Sequence, residues 1–327
     1  MNVTIDQSLV LQKKGRTNLV GRYILKRIGY MCITFYVVIT LTFLSMKMLP
    51  GTPFQNPKLT PTQINQLKHY YGLDQPIAVQ YVKYMWNLLH GDMGGSFQFG
   101  NESVTALLMN KFPVSLDLGL EAIILGAVIG LLLGIIAGLH HGKAMDWSTM
   151  IFAAIGTSIP SFIFAGVLQY FLGVYVRAFP VAGWNGPSYH FLPVVSLAVG
   201  VVAEIALFMR TEMVEVINQD YIVTAQAKGL SRFTVVYKHA IRNALIPVVT
   251  ILGPLTAAII TGSLVIENIF GIPGIGSQYV SSIVTNDYPM IMGTTELYAG
   301  LFILSIFVVD ILYGVIDPRI RVSGGQA

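Results

Sequence analysis

Charge is scarce in this chain. Only 11% of its 327 residues are Asp, Glu, Lys or Arg, whereas a soluble globular domain carries about 25%. So few charges cannot clothe a water-facing surface. With 54% of residues hydrophobic and a mean hydropathy of +0.65, the chain belongs in lipid. Cysteine is scarcer still: Cys32 stands alone, which excludes a disulfide framework. No run of basic residues interleaved with aromatics occurs, so no nucleic-acid partner is expected.

Catalytic motifs are missing as well. A nucleotide-hydrolysing chain needs G-x-x-x-x-G-K-[ST] to cradle phosphates. The single Gly-Lys pair, Gly142–Lys143, is followed by Ala144 and lacks the upstream glycine. There is no H-E-x-x-H and no G-x-S-x-G. His140 and His141, beside Asp146, read as an exposed loop end rather than as metal ligands, and "GIPGIG" reads as a turn rather than a phosphate cradle. The chain is therefore expected to have no catalytic residue, no cofactor and no metal. Energy must therefore come from elsewhere, either a partner ATPase or an ion gradient.

What is present is a series of long apolar runs. Spanning the hydrocarbon core as a helix takes about 20 residues, and six runs qualify: Ile28–Leu49, Ser115–Leu139, Ile151–Gly173, Phe191–Met209, Ile246–Ile266 and Ile291–Ile316. Backbone polar groups in lipid must be satisfied internally, so the runs are predicted to be helices, and the alternation of a barrel strand is absent. The first run follows 27 mostly polar residues and precedes no A-x-A-like cleavage site, which marks a retained span rather than a signal peptide. Lysine and arginine set the orientation. With both termini in the cytoplasm, the inner segments hold fourteen of these residues and the outer segments five, in accord with the positive-inside rule.

The expected fold class is therefore all-α, a polytopic membrane protein of six transmembrane helices. Its parts are a cytoplasmic tail (1–27), a first transmembrane helix (28–49), an external helical cap (50–114), a core of five transmembrane helices (115–316) and a cytoplasmic tail (317–327). The cap reads as two short helices broken at Gly72 and Pro76, then a glycine-rich turn. Within the core, 210–245 forms the longest cytoplasmic loop. A short helix is predicted over about Tyr221–Lys228, with Gly229 just past its end in the left-handed conformation that costs glycine nothing. Ser231 suits the N-cap of the next helix, on which Lys238 and Arg242 share a face. Pro247 should kink the fifth span or mark its start. The loop is thus a stiff protruding corner, although a basic surface loop obeying the positive-inside rule would look much the same.

The same residues carry a resemblance. "DYIVTAQAKGL" followed by "HAIRNALIPVVT" resembles the signature loop of the inner-membrane permease subunits of binding-protein-dependent ABC importers, in their oligopeptide/dipeptide/nickel branch. "LPGTPF" at Leu49–Phe54, "YGLDQPIAVQYVKYMWNLLHGDMGGSF" at Tyr71–Phe97, "SIPSF" at Ser158–Phe162, "FGIPGIG" at Phe270–Gly276 and "DPRIR" at Asp317–Arg321 resemble that branch too, in the right order. The chain departs from the wider pattern at Val223, Thr224, Thr52 and Leu207. The resemblance implies a type I importer permease fold in a bacterial plasma membrane, with oligopeptide cargo foremost and dipeptide or nickel as alternatives. It implies a pore shared with a second, homologous permease subunit, two cytoplasmic ABC ATPases and an extracellular substrate-binding protein. Asp220, Tyr221, Ala225, Ala227, Lys228, Gly229 and Leu230 would then couple the chain to the ATPases, with the last five as the docking tip.

Acids at membrane depth are expensive and point to function by default. Here they are Glu121, Glu204, Glu296 and Asp310, with Glu267 at a span end. Glu121, Glu267 and Glu296 lie toward the outer ends of their runs and are expected either to form an acidic vestibule for a peptide's ammonium or to be paired singly. Ser158 and Pro160 join them as substrate-pathway candidates, because Pro160, Gly253 and Pro254 are able to break helices. A proton-coupled secondary transporter using these acids is the rival reading, against which stands the absence of an inverted repeat.

Overall fold

Glycine recurs at every fourth position of one apolar run, at Gly126, Gly130, Gly134 and Gly138. Residues four apart share a helix face, so these four leave a groove without side chains along helix α4 (Val104–Leu139), and α7 (Pro187–Ile217) lies in it. Val201, Ile205, Met209 and Met213, again every fourth residue, fill the groove. A Cβ placed on the four glycines would stand 2.6, 2.9, 2.6 and 2.5 Å from the Cβ atoms of those four residues. Lipid supplies no hydrophobic drive between helices, so close approach through small residues is what holds such a pair together.

The rest of the bundle is built outward from this seam. The computed structural model describes residues 4–48, 53–54 and 60–316, with backbone alone at 4–23, 257–258, 260–262 and 312–316. The chain runs through α1 (Thr4–Met48), α2 (Pro61–Tyr70), α3 (Ile77–Leu89), α4, α5 (Ala144–Ser158), α6 (Ser161–Leu168), α7, α8 (Asp220–Ala227), α9 (Arg232–Thr234), α10 (Arg242–Ile269), α11 (Ile275–Val284) and α12 (Tyr288–Ile316). Two wider π-helical turns, Gln169–Tyr175 and Val235–Ile241, continue α6 and join α9 to α10. Among the described residues, five helices are long and apolar enough to cross a membrane, and a sixth crossing results if α5 and α6 count as one. α7 is the central helix, packed by α4, α5, α6 and α10; α12 packs on α10, and α1 on α12. An ion pair between Arg27 and Asp310 fastens α1 to α12 and accounts for the acid within the last span.

Three expectations need correction. The third run is not one straight helix: α5 and α6 meet at 99° across Ile159–Pro160. Pro160 has no N–H to give the Gly156 carbonyl, and its ring disfavours helical backbone at Ile159, which is extended with ψ 122°. Gly253 and Pro254, by contrast, stay inside α10, as does Pro247. The second span begins at Val104 rather than Ser115, because Ser103 caps it and accepts the Ala106 N–H at 3.5 Å. The first helix also starts before Ile28 and is continuous from Thr4. The short helix α11 was not anticipated at all. The tail 317–327, with "DPRIR", and residues 49–52 of "LPGTPF" lie outside the described residues.

The cap folds as expected, with the break between α2 and α3 at Gly72 (φ +66°) and Pro76. Thr60 and Gln63 form a reciprocal capping box at the start of α2. Buried Asp287, in the link between α11 and α12, accepts hydrogen bonds from the Ser96 hydroxyl and from the Phe97 N–H (3.0 Å), so a carboxylate rivets the cap to the bundle.

Candidate functional site

Two regions hold the residues singled out above: a corner at the end of the bundle away from the cap, and the acids and helix break within the spans.

The corner is built by α8. Asp220 occupies its first turn, where the helix dipole favours an acid. Ile222 and Ala225 face inward and join the cluster of Val235, Ala240, Ala244 and Val248. The chain then leaves the helix through a Schellman turn. The Leu230 N–H reaches the Ala225 carbonyl (3.3 Å), the Gly229 N–H reaches Gln226 (2.9 Å), and Gly229 sits at φ +75°. Ser231 caps α9, accepting the Thr234 N–H at 3.3 Å. Tyr221, Ala227, Lys228, Gly229 and Leu230 are exposed together on this corner, with Asp220 at its start. Ala225 is not among them: at 6% exposure it is spent on holding α8 to the bundle, because an eight-residue helix keeps its place only by burying one face. Phe233 and Tyr237, unremarked in the sequence, stack at the same corner with centroids 5.9 Å apart and stay 77% and 63% exposed.

The acids do not converge. Glu267 is fully buried and accepts the Ser263 hydroxyl (2.7 Å) and the Gly276 and Ser277 N–H groups (2.7 and 3.3 Å) at the start of α11. The "GIPGIG" turn therefore does cradle an anion at a helix N-terminus, and the anion is the chain's own carboxylate. Ser115 assists by accepting the Ile275 N–H at 2.8 Å. Glu296, 1% exposed, accepts the Tyr84 hydroxyl and ties α12 to the cap. Glu121 is half-exposed, with Oε1 2.9 Å from Nδ1 of His190, over which Trp184 stacks. The three acids therefore do not line one open vestibule: Glu267 and Glu296 are both buried, Glu267 on three donors of the chain and Glu296 on the Tyr84 hydroxyl through one oxygen. Asp117, Glu121 and His190 bring ligand atoms within 4.8 Å of one another, with Asp117 exposed and the other two already in contact with each other. Ser158 and Pro160 form the elbow between α5 and α6, and both are exposed there.

A buried ion pair escaped the sequence reading. Asp146, 2% exposed at the start of α5, takes a bidentate grip from Arg210 of α7, with Nε to Oδ1 and Nη2 to Oδ2 both 2.8 Å. The Gly142 N–H adds 2.9 Å to Oδ2. His141 Nδ1 lies 3.0 Å from Oδ2 and 2.9 Å from Nη2, so its tautomer decides which of the two it bonds. Asp146 is therefore a structural clasp beside the loop end of His140 and His141. Removing one partner strands a buried charge, at about 3–5 kcal/mol. Asp146→Asn and Arg210→Gln should each lower the thermal unfolding midpoint in detergent, while the double variant should lose much less than the sum of the two. Additive losses would show that the pair does not act as a unit.

Set beside known proteins, residues 130–322 match the family described as binding-protein-dependent transport system inner membrane component, and residues 20–119 match its N-terminal membrane region. The chain is 46% identical to the dipeptide transport system permease protein DppB of Bacillus subtilis, over 92% of this chain and 98% of that one. It is 44% identical to the DppB of Lactococcus lactis (92% and 99%) and 39% identical to the oligopeptide transport system permease protein OppB of Escherichia coli (92% and 99%). Among solved structures, an inward-facing MetNI methionine ABC transporter superposes with a TM-score of 0.54 at 22% identity, covering 64% of this chain and 96% of that one.

Proposed function

The chain belongs to the family of binding-protein-dependent transport system inner membrane components, and from that premise we propose that it carries short peptides into a bacterial cell. It is a permease subunit of an ABC importer in the plasma membrane. It is not itself an enzyme: ATP is hydrolysed by separate subunits, and cargo arrives on a binding protein. The cargo class rests on relatives named for dipeptides and for oligopeptides.

The observation that carries the mechanism is the exposed corner after α8. Its backbone is fixed by the Schellman turn and by buried Ile222 and Ala225, while Ala227, Lys228, Gly229 and Leu230 project. A rigid, small-residue projection suits a groove on a cytoplasmic ATPase and passes on its motion without bending. In this reading both termini lie in the cytoplasm, as the lysine and arginine distribution favours. Closure of two ATPases pulls the corner, and α10, continuous with it through the π turn, tilts against α7. The path opens between this chain and a second permease subunit, alternately outward and inward, beside the elbow at Ser158 and Pro160. A proton relay is disfavoured because Glu121, Glu267, Glu296 and Asp310 all have partners within the chain, which leaves Glu204 without a second free acid among them to relay to.

The test is reconstitution of the chain, with the subunits that co-purify with it, into proteoliposomes. ATP-dependent uptake of labelled dialanine, competed by unlabelled dialanine or tetra-alanine according to cargo length, is the expected result. Uptake that needs no ATP and collapses with the proton gradient would overturn the reading.

A further inference from the structure

Four acids at membrane depth are spoken for within the chain; Glu204 is not. It lies near the middle of α7, roughly 25 Å along the axis from Pro187 at 1.5 Å per residue. It is exposed, and among the described residues it has no hydrogen bond and no ion pair. Its helix is otherwise the most enclosed of the bundle, with Val201, Val202, Ala203, Ile205 and Ala206 all buried on either side of it. The exposed residues along the second half of α7 fall in one strip at helical spacing, Glu204, Leu207, Thr211 and Glu215, with half-buried Gly200 one turn before them. A Cβ on Gly200 would meet nothing within 4 Å, so the strip is shallow where it reaches Glu204.

The elbow stands at the same level. Gly156, just before the break, packs against Val199 and Ala203, the latter adjacent to Glu204. Exposed residues Thr157 and Ser158 thus border the depth at which the carboxylate sits. A carboxylate facing acyl chains at this depth is strongly disfavoured, so this strip faces something polar. The ionisable residues on the strip are both acids, Glu204 and Glu215, with no cation, and a cation is therefore its complement.

We propose that Glu204 receives the amino-terminal ammonium of the peptide in transit, on a strip of α7 that is this chain's wall of the translocation path. The proposal rests on the peptide-importer reading and deepens it. An unblocked peptide offers an ammonium whatever its side chains, so one carboxylate at mid-depth serves many sequences. A single charge-assisted contact holds the cargo without trapping it.

The test uses the complete transporter, with its second permease, ATPases and binding protein, in proteoliposomes. Glu204→Gln should slow dialanine uptake by about tenfold, while subunit yield stays at the wild-type level. Glu204→Asp, which keeps the charge, should restore most of the uptake. Unchanged uptake by Glu204→Gln would overturn the proposal. So would loss of the second permease from the purified complex, which would make Glu204 an interface residue paired with a partner cation. A wild-type transporter that hydrolyses ATP but takes up no peptide would instead sink the peptide-importer reading, and this proposal with it.

Discussion

A Gly229→Arg chain should insert and assemble with its second permease, yet lose its ATPases and with them all ATP-driven uptake. Gly229 sits at φ +75°, and a Cβ there meets no atom of the chain within 4 Å. The internal cost is therefore only the left-handed conformation, about 1–2 kcal/mol, which a bundle of this size absorbs. The arginine side chain has nowhere to go except outward, into the space where the proposed docking puts the ATPase groove. Gly229→Asn separates the two effects, because asparagine tolerates the left-handed region and its side chain is short. Co-purification from membranes reads the result: ATPases retained with asparagine and lost with arginine. Retention of the ATPases with arginine would mean that the corner does not dock.

Gly134→Leu should act earlier, on the chain itself. A Cβ at Gly134 already falls 2.6 Å from that of Met209 and 2.7 Å from the Ala206 carbonyl oxygen, so the α7 backbone is the obstacle and not a yielding side-chain tip. Leucine would force the two helices apart along the whole seam. Overpacking costs about 3 kcal/mol at a well-packed site, and in lipid no hydrophobic gain offsets the lost contacts. The expected outcome is loss of the monodisperse peak in detergent size-exclusion chromatography. Gly29→Leu, where a Cβ meets nothing within 4 Å, should leave the peak intact. A monodisperse Gly134→Leu chain would show that the seam is softer than its distances imply.

The spans were legible because lipid leaves a backbone so few choices, and hydropathy finds the runs without any knowledge of packing. The corner was legible for a local reason: a helix end, a glycine and a serine cap are decided by neighbours in sequence, and Gly229 and Ser231 sit as their types require. The remainder depended on which helices touch. The 126–130–134–138 spacing is visible in the sequence, but hydropathy scores glycine as neutral, and its meaning needs α7 opposite. Asp146 and Arg210 are 64 positions apart and meet only because their helices are neighbours. The inward turn of Ala225 depends on which face of α8 finds the π turn, something eight residues cannot announce. Pro160 was ambiguous because proline is common in membrane helices, whether they bend or not.

The elbow beneath Pro160 has an electrical side. Proline leaves the Gly156 carbonyl without its helical donor, and a carbonyl at membrane depth needs another donor, from a side chain, a neighbouring helix or water. Where water is the donor, the middle of this chain is a poor insulator by itself. A membrane across which a proton gradient is held tolerates such a point only if it is sealed from at least one side at all times. On the two-permease reading proposed above, the pair makes that seal, and the opening and closing that move the cargo are also the motions that keep the membrane charged.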